Sequence, residues 1–244
     1  MVYLRASACI CGGILLGVPM TVTQVLDELH ARANPANVAG MARYGISTKG
    51  TLGVPVNQLR VMARKIGRDH ALAAQLWASR IHEARILATI IDDPKQVTRR
   101  QMDVWAREID SWDVCDQACQ NLFRYTPHAW AMAVKWARSN HEFMRRAGFS
   151  LMAGLAGKDK TATDEEFVSL FPLLAAAAID ERNMVKKALN WALRAIGKRN
   201  PNLRKQAIAA AREIHAIDSK SARWIASDAI RELSAESRKP PRKR

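Results

Sequence analysis

Apolar residues recur at three- and four-residue spacing in one run after another, from "TVTQVLDELHARA" near the start to "KSARWIASDAIREL" near the end. That is the period of an amphipathic helix, and such a succession with little β-branched enrichment leaves room for little else. Runs such as "VNQLRVMARKIG", "TRRQMDVWAREID" and "LRKQAIAAAREIHAI" are separated by short clusters of Gly, Pro, Asn and Asp. "DEEFVSLFPLLAAAAI" reads as a single helix, and residues 34–55 carry no such run. Thr98, Thr126-Pro127 and Asp164 are expected at helix starts, where oxygen side chains cap free backbone N–H groups. The fold class is therefore all-α.

A looser periodicity overlies the helical one. Polar residues flanked by small apolar neighbours enter helices at Arg85, Asp116, Arg146, Lys187 and Arg223, at intervals of 31, 30, 41 and 36 residues. Spacing of this size suits a pair of helices that repeats and stacks into a solenoid with one continuous core. The second helix of each pair would line a concave face, expected to be basic. With 244 residues and 48% hydrophobic side chains, a single domain over residues 20–235 is expected. Residues 1–19 read as a leader or misplaced start, with Met20 as the natural first residue, and residues 236–244 as a basic tail. The segment "CICGGILLGVPM" is too short and too Gly-rich to span a bilayer, so a cytoplasmic, non-membrane protein is expected.

The formal charge of +15 and a pI near 10.2 favour an anionic partner, nucleic acid first. Against that background the stretch "IDSWDVCDQ" is out of place. Trp112 and Asp116 lie four residues apart, so on a helix the indole and carboxylate share one face. Asp110 and Asp113 read as helix-start acids that complement the macrodipole. Asp116, a turn further in, is either a salt-bridge partner or a group aimed at something positive. Cys115 and Cys119 fill core in this reading, and no His/Cys/Asp/Glu spacing calls for a metal. Within "HEAR", Glu83 is expected to pair with Arg85 or a neighbouring helix, with His82 near a helix start.

The helix "VKKALNWALRAIGKRN" buries Val185, Leu189, Ala192 and Ile196 on one stripe. Trp191 falls on the other side, among Lys187, Arg194 and Lys198. Tryptophan normally goes to the core, where lysine and arginine stems also cover it. In this cationic stripe it reads as an aromatic plate beside phosphate-holding charges.

Four motifs carry a resemblance: "MARYG" at Met41–Gly45, "SWDVCDQ", "MRRAG" at Met144–Gly148 and "KKALNWALRAIGKRNP". From about Met20 to Leu233 the chain resembles bacterial DNA alkylation repair enzymes of the AlkD type, glycosylases built from HEAT-like helical repeats. The resemblance implies a catalytic carboxylate at Asp116, with Trp112 and Trp191 against the lesion's deoxyribose. It also implies a phosphate contact at Arg146 and a lesion-flanking Tyr44, with further DNA contacts expected at Lys187, Arg194 and Lys198. It implies a monomer that needs no cofactor or metal. Its partner would be double-stranded DNA containing alkylated purines, the lesion being cleaved without full base flipping. Characterised members often carry a second Trp where this chain has Ser111. Some relatives have lost the acid; this chain keeps Asp116. Two other readings compete: a non-catalytic DNA-structure binder and a HEAT-type protein-interaction scaffold.

Overall fold

A computed structural model describes residues 20–236. Among them the helices are α1 (Val22–Ala31), α2 (Pro35–Ala42), α3 (Val56–Ile66), α4 (His70–Ala78), α5 (His82–Ile91), α6 (Arg99–Glu108) and α7 (Trp112–Asn121). A 3-10 turn at Phe123–Tyr125 follows, then α8 (Ala129–Ala137), α9 (Glu142–Lys158), α10 (Asp164–Val168), α11 (Phe171–Ala177), α12 (Asn183–Gly197), α13 (Pro201–His215) and α14 (Lys220–Glu236). The described residues contain no strand. The leader and the basic tail expected from the sequence lie outside the described residues, apart from Glu236 at the end of α14.

Helices α5, α7, α9, α12 and α14 form one layer, each packed on the next, while α4, α8 and α13 pack as their antiparallel-pair partners. The inner helices run parallel, as their cross-links show. Cys115 Sγ and Cys119 Sγ reach the carbonyls of Phe143 and Ala147, and Gln120 Nε2 donates to the Ser150 carbonyl at 2.9 Å. Further along, Asn190 Nδ2 donates to the Ile225 carbonyl at 3.0 Å. The other layer is tied similarly: Trp77 Nε1 donates to Glu108 at 2.7 Å and Trp136 Nε1 to Asp103 at 2.8 Å. Trp77 also stacks on Trp105, with ring centroids 4.1 Å apart. The helix-pair solenoid is thus held by contacts between neighbouring units, as expected of a repeat array.

Local chemistry sets the boundaries. Thr98 caps α6 through Gln101 N–H, as the sequence predicts. Two other caps differ by position. Thr163, not Asp164, caps α10, in a reciprocal capping box with Glu166. α8 begins at Ala129 after His128, while the Thr126 hydroxyl closes the preceding turn on the Phe123 carbonyl. The run expected as one helix from Asp164 breaks between α10 and α11, because Pro172 has no N–H to donate and its ring opposes a continuing helix. α2 has no counterpart in the sequence expectation: no residue of "PANVAGMA" is buried, and Asn34 with Pro35 starts the helix.

The Glu83 carboxylate does not pair with Arg85. It lies buried and accepts the backbone N–H groups of Leu52, Gly53 and Val54, at 2.8, 2.6 and 3.2 Å. Gly53 makes that clamp feasible: its φ is +77°, and a Cβ there would lie 2.3 Å from the Asn34 carbonyl oxygen. The loop after α2 is thereby fixed against α5. Asp110 and Asp113 are likewise more than helix-start charges. Asp110 pairs with Arg85 at 3.0 Å, and Asp113 accepts from His82 Nε2 at 2.8 Å and from the Ser111 hydroxyl.

α8 and α9 approach closely at Gly148, where an added Cβ would meet Ala137 N at 2.4 Å and the Ala133 carbonyl oxygen at 2.9 Å. Gly148→Ala is expected to push the two helices apart and cost about 1–3 kcal/mol in urea unfolding. An unfolding midpoint equal to wild type would show that the contact is not tight.

Candidate nucleic-acid interface

The sequence places Trp112 at the first position of α7 and Asp116 one turn later, so both project from the same side of the helix start. α9 supplies Arg146 in register, and α12 supplies its own first turn. The three meet at one guanidinium. Arg146 Nε and Nη2 grip the Asp116 carboxylate oxygens at 3.1 and 2.7 Å, while Nη1 donates to the Met184 carbonyl at 2.7 Å. The same guanidinium carbon lies 5.7 Å from the centroid of the Trp112 ring. Trp112 Nε1 in turn donates to the Tyr44 carbonyl at 3.0 Å, pinning the loop after α2 to α7.

Burial pushes the Asp116 carboxyl above the usual carboxylate range, and the Arg146 charge pulls it part of the way back. Burial works against the Arg146 charge too, but the carboxylate overrides it and holds the guanidinium above its ordinary value. The two-pronged hydrogen bonding of the guanidinium to both carboxylate oxygens is the geometry of an ion pair. For Asp113, burial raises the carboxyl, but the His82 hydrogen bond wins and leaves it below the ordinary range.

Two depressions adjoin this joint. One, of about 470 Å³, is lined by Arg43, Tyr44, Trp112, Arg146, Met184 and Lys187 among others, with no carboxylate in its wall. The other, of about 600 Å³, lies between α2 and the starts of α5 and α7, and takes Asp116 into its lining. Tyr44 and Trp112 line both, so they form the ridge between them. Tyr44 is 72% exposed on that ridge.

The expected site residues divide. Asp116, Trp112, Arg146, Tyr44 and Lys187 come together around the ridge. Trp191 stands one turn beyond Lys187, partly buried against the core, and lines neither depression. Arg194 and Lys198 are not free cations: both pair with Glu232, and Arg194 also faces Asp228 at 3.6 Å. The cationic stripe expected along α12 is therefore interrupted by acids of α14 and reduces, toward the cleft, to Lys187. Arg146 carries its charge at 5% exposure rather than on an open surface. The cleft gains Arg43, which the sequence reading passed over although it sits inside "MARYG". Among the described residues, no group of three His, Cys, Asp or Glu could hold a metal ion, and no helix is long and apolar enough to cross a membrane.

A sequence model described as "DNA alkylation repair enzyme" matches residues 25–233. The chain belongs to that family. One relative, the uncharacterized protein Lin0241 of Listeria innocua, is 21% identical over 199 residues, which covers 80% of this chain and 87% of the relative. One solved structure is described as a new family of proteins related to the HEAT-like repeat DNA glycosylases, with affinity for branched DNA structures. It is 22% identical with a TM-score of 0.74, covering 88% of this chain and 96% of that one. This family member accordingly has the HEAT-like fold.

Arg146→Ala would leave a largely but not fully buried carboxylate without its counter-charge, at an expected cost of up to about 3–5 kcal/mol. Because the folded Asp116 carboxyl titrates above its unfolded value, its charge costs stability once the pH exceeds both, and that cost fades as pH falls through the folded value. The Arg146→Ala deficit in denaturant unfolding is thus expected to shrink on acidification and to be largely recovered by adding Asp116→Asn. A deficit independent of pH would assign the loss to packing alone.

Proposed function

We propose that this protein hydrolyses the N-glycosidic bond of positively charged alkylated purines, such as N3-methyladenine and N7-methylguanine, in duplex DNA. The observation that carries the reading is one carboxylate, Asp116, one helical turn from the Trp112 indole and joined through Arg146 to a depression whose charged residues are all cations, while Asp116 itself lines the depression on the other side of Trp112. DNA phosphates suit Arg43, Arg146 and Lys187, and electrostatic contacts of this kind position a backbone without reading its sequence.

An alkylated purine carries positive charge, so its bond to the sugar is already weak. As that bond lengthens, charge passes to the deoxyribose as an oxocarbenium ion. An ionised Asp116 stabilises that charge and orients water toward C1′. The face of Trp112 adds a cation–π attraction of about 0.5–2 kcal/mol. The leaving base departs neutral and needs no strong acid, and no lysine nucleophile is required, so the enzyme is monofunctional.

In the free protein both Asp116 oxygens are held by Arg146. A DNA phosphate is a competing ligand for the same guanidinium fork. In our reading, backbone docking draws Arg146 toward phosphate and frees the carboxylate for the sugar, so the acid is exposed only when substrate is present. The same bidentate pair favours a second reading, in which Asp116 is purely structural and the protein binds DNA without cleaving it. The affinity for branched DNA described for the similar solved structure accords with that alternative.

Duplexes carrying a single N7-methylguanine separate the two. Base release by wild type, with at least about a hundredfold loss in Asp116→Asn and little change in DNA affinity, is the expected result. Salt-sensitive binding with no release by wild type would select the non-catalytic reading. Binding indifferent to salt would remove both.

A further inference from the structure

Trp224, in the second turn of α14, keeps 43% of its surface open, whereas the other tryptophans are buried or half-buried. A single exposed apolar residue is ordinary, but this one lies among cations. The Lys186 ammonium of α12 sits 5.4 Å from the centroid of its ring. Lys220 stands one turn before it on α14, and neither lysine has a carboxylate partner among the described residues. The nearby acids are occupied. Asp218 pairs with Arg223 at 2.9 Å, Glu181 accepts from Ser219 and Ser221, and Asp228 lies between Arg194 and Arg231.

Its place in the array matters more than its exposure. Lys187, Trp191, Arg194 and Lys198 share one stripe of α12, which begins in the cationic cleft at Lys187. On α14, Trp224, Asp228 and Glu232 recur every four residues, and the two acids meet Arg194 and Lys198. Trp224 therefore opens, one repeat unit further on, to the same face of the inner layer as Lys187, with Lys186 bridging the two helices. A strand that leaves the cleft past Lys187 meets this indole next. Beyond it the stripe on α14 carries acids, which disfavour a continuing phosphate backbone. A base is neutral, and every base has a π face to lay on an indole.

We infer that Trp224 is a stacking platform for an unpaired base of the DNA strand whose phosphates occupy the Arg43–Arg146–Lys187 cleft. Lys186, which rests over the ring in the free protein, is the cation placed to hold the phosphate of the stacked nucleotide. Within a duplex that base would first have to leave its stack, whereas in a single-stranded tail it is already free. The platform thus favours DNA with unpaired nucleotides beside the bound duplex, and it leaves the lesion itself in the stack.

The inference rests on DNA docking in the cleft, which the catalytic and non-catalytic readings share, and it does not depend on base release. Fluorescence anisotropy with the full chain at moderate salt compares three kinds of labelled DNA. These are a blunt duplex, the same duplex with a short 3′ or 5′ unpaired tail, and each tail built from abasic nucleotides. One tail polarity is expected to tighten binding at least about fivefold over the blunt duplex, and its abasic counterpart to lose that gain. Trp224→Ala should abolish the gain while blunt-duplex affinity stays within about twofold of wild type, and Trp224→Phe, which keeps a ring, should retain most of it. The base dependence is read on wild type, so it stands whatever Trp224→Ala does to folding. No gain with either polarity, an equal gain from abasic tails, or a gain untouched by Trp224→Ala overturns the platform and leaves the cleft standing. Absence of salt-sensitive binding to any of these duplexes removes the cleft, and the platform with it.

Discussion

The guanidinium of Arg146 is the joint on which this architecture turns. It is almost wholly buried, yet it satisfies the Asp116 carboxylate on α7 and the Met184 carbonyl in the first turn of α12 while riding on α9. Three successive repeat units are fixed by one side chain. A buried charge pair contributes little net stability against an apolar replacement, but leaving either partner alone is expensive. What the pair does fix is geometry: the carboxylate cannot drift from the indole one turn before it, and the first turn of α12 cannot slide away from the cleft.

The same device recurs with other chemistry along the array. Trp77 with Glu108, His82 with Asp113, Trp136 with Asp103 and Asn190 with the Ile225 carbonyl each tie a residue to the next unit. In a solenoid whose units touch only their neighbours, such polar links set the stagger between units, while apolar contact supplies the burial. The chain carries a net charge of +15, and among the described residues the cations are not equally free. Acids of α14 quench Arg194 and Lys198, while Arg43 and Lys187 stay beside the cleft.

Much of this was legible in the sequence where the signal is local. The helical period gave the all-α class, and the recurrence through Arg85, Asp116, Arg146 and Lys187 marked the inner helices. The four-residue separation of Trp112 and Asp116 put them on one face. What stayed hidden depends on partners far along the chain. Nothing near Lys198 announces Glu232, and nothing near Glu83 announces three backbone N–H groups of a loop about thirty residues earlier. α2 escaped because a short helix with no buried residue leaves no apolar stripe to read. The burial of Arg146 was also out of reach: "MRRAG" offers two adjacent arginines, and only the fold sends one to Asp116 and the other to Asp180.

In the proposed mechanism the Asp116–Arg146 pair is closed in the free protein and opened by DNA. Nuclear magnetic resonance of the Arg146 Nε–H group, with and without an alkylated duplex, reads that directly. We expect a hydrogen-exchange-protected signal in the free protein at neutral pH, and a changed chemical shift with lost coupling to the Asp116 carboxyl once duplex is bound. An Nε–H signal that is identical and equally protected in the complex would mean that the carboxylate never faces the sugar, and would contradict the account.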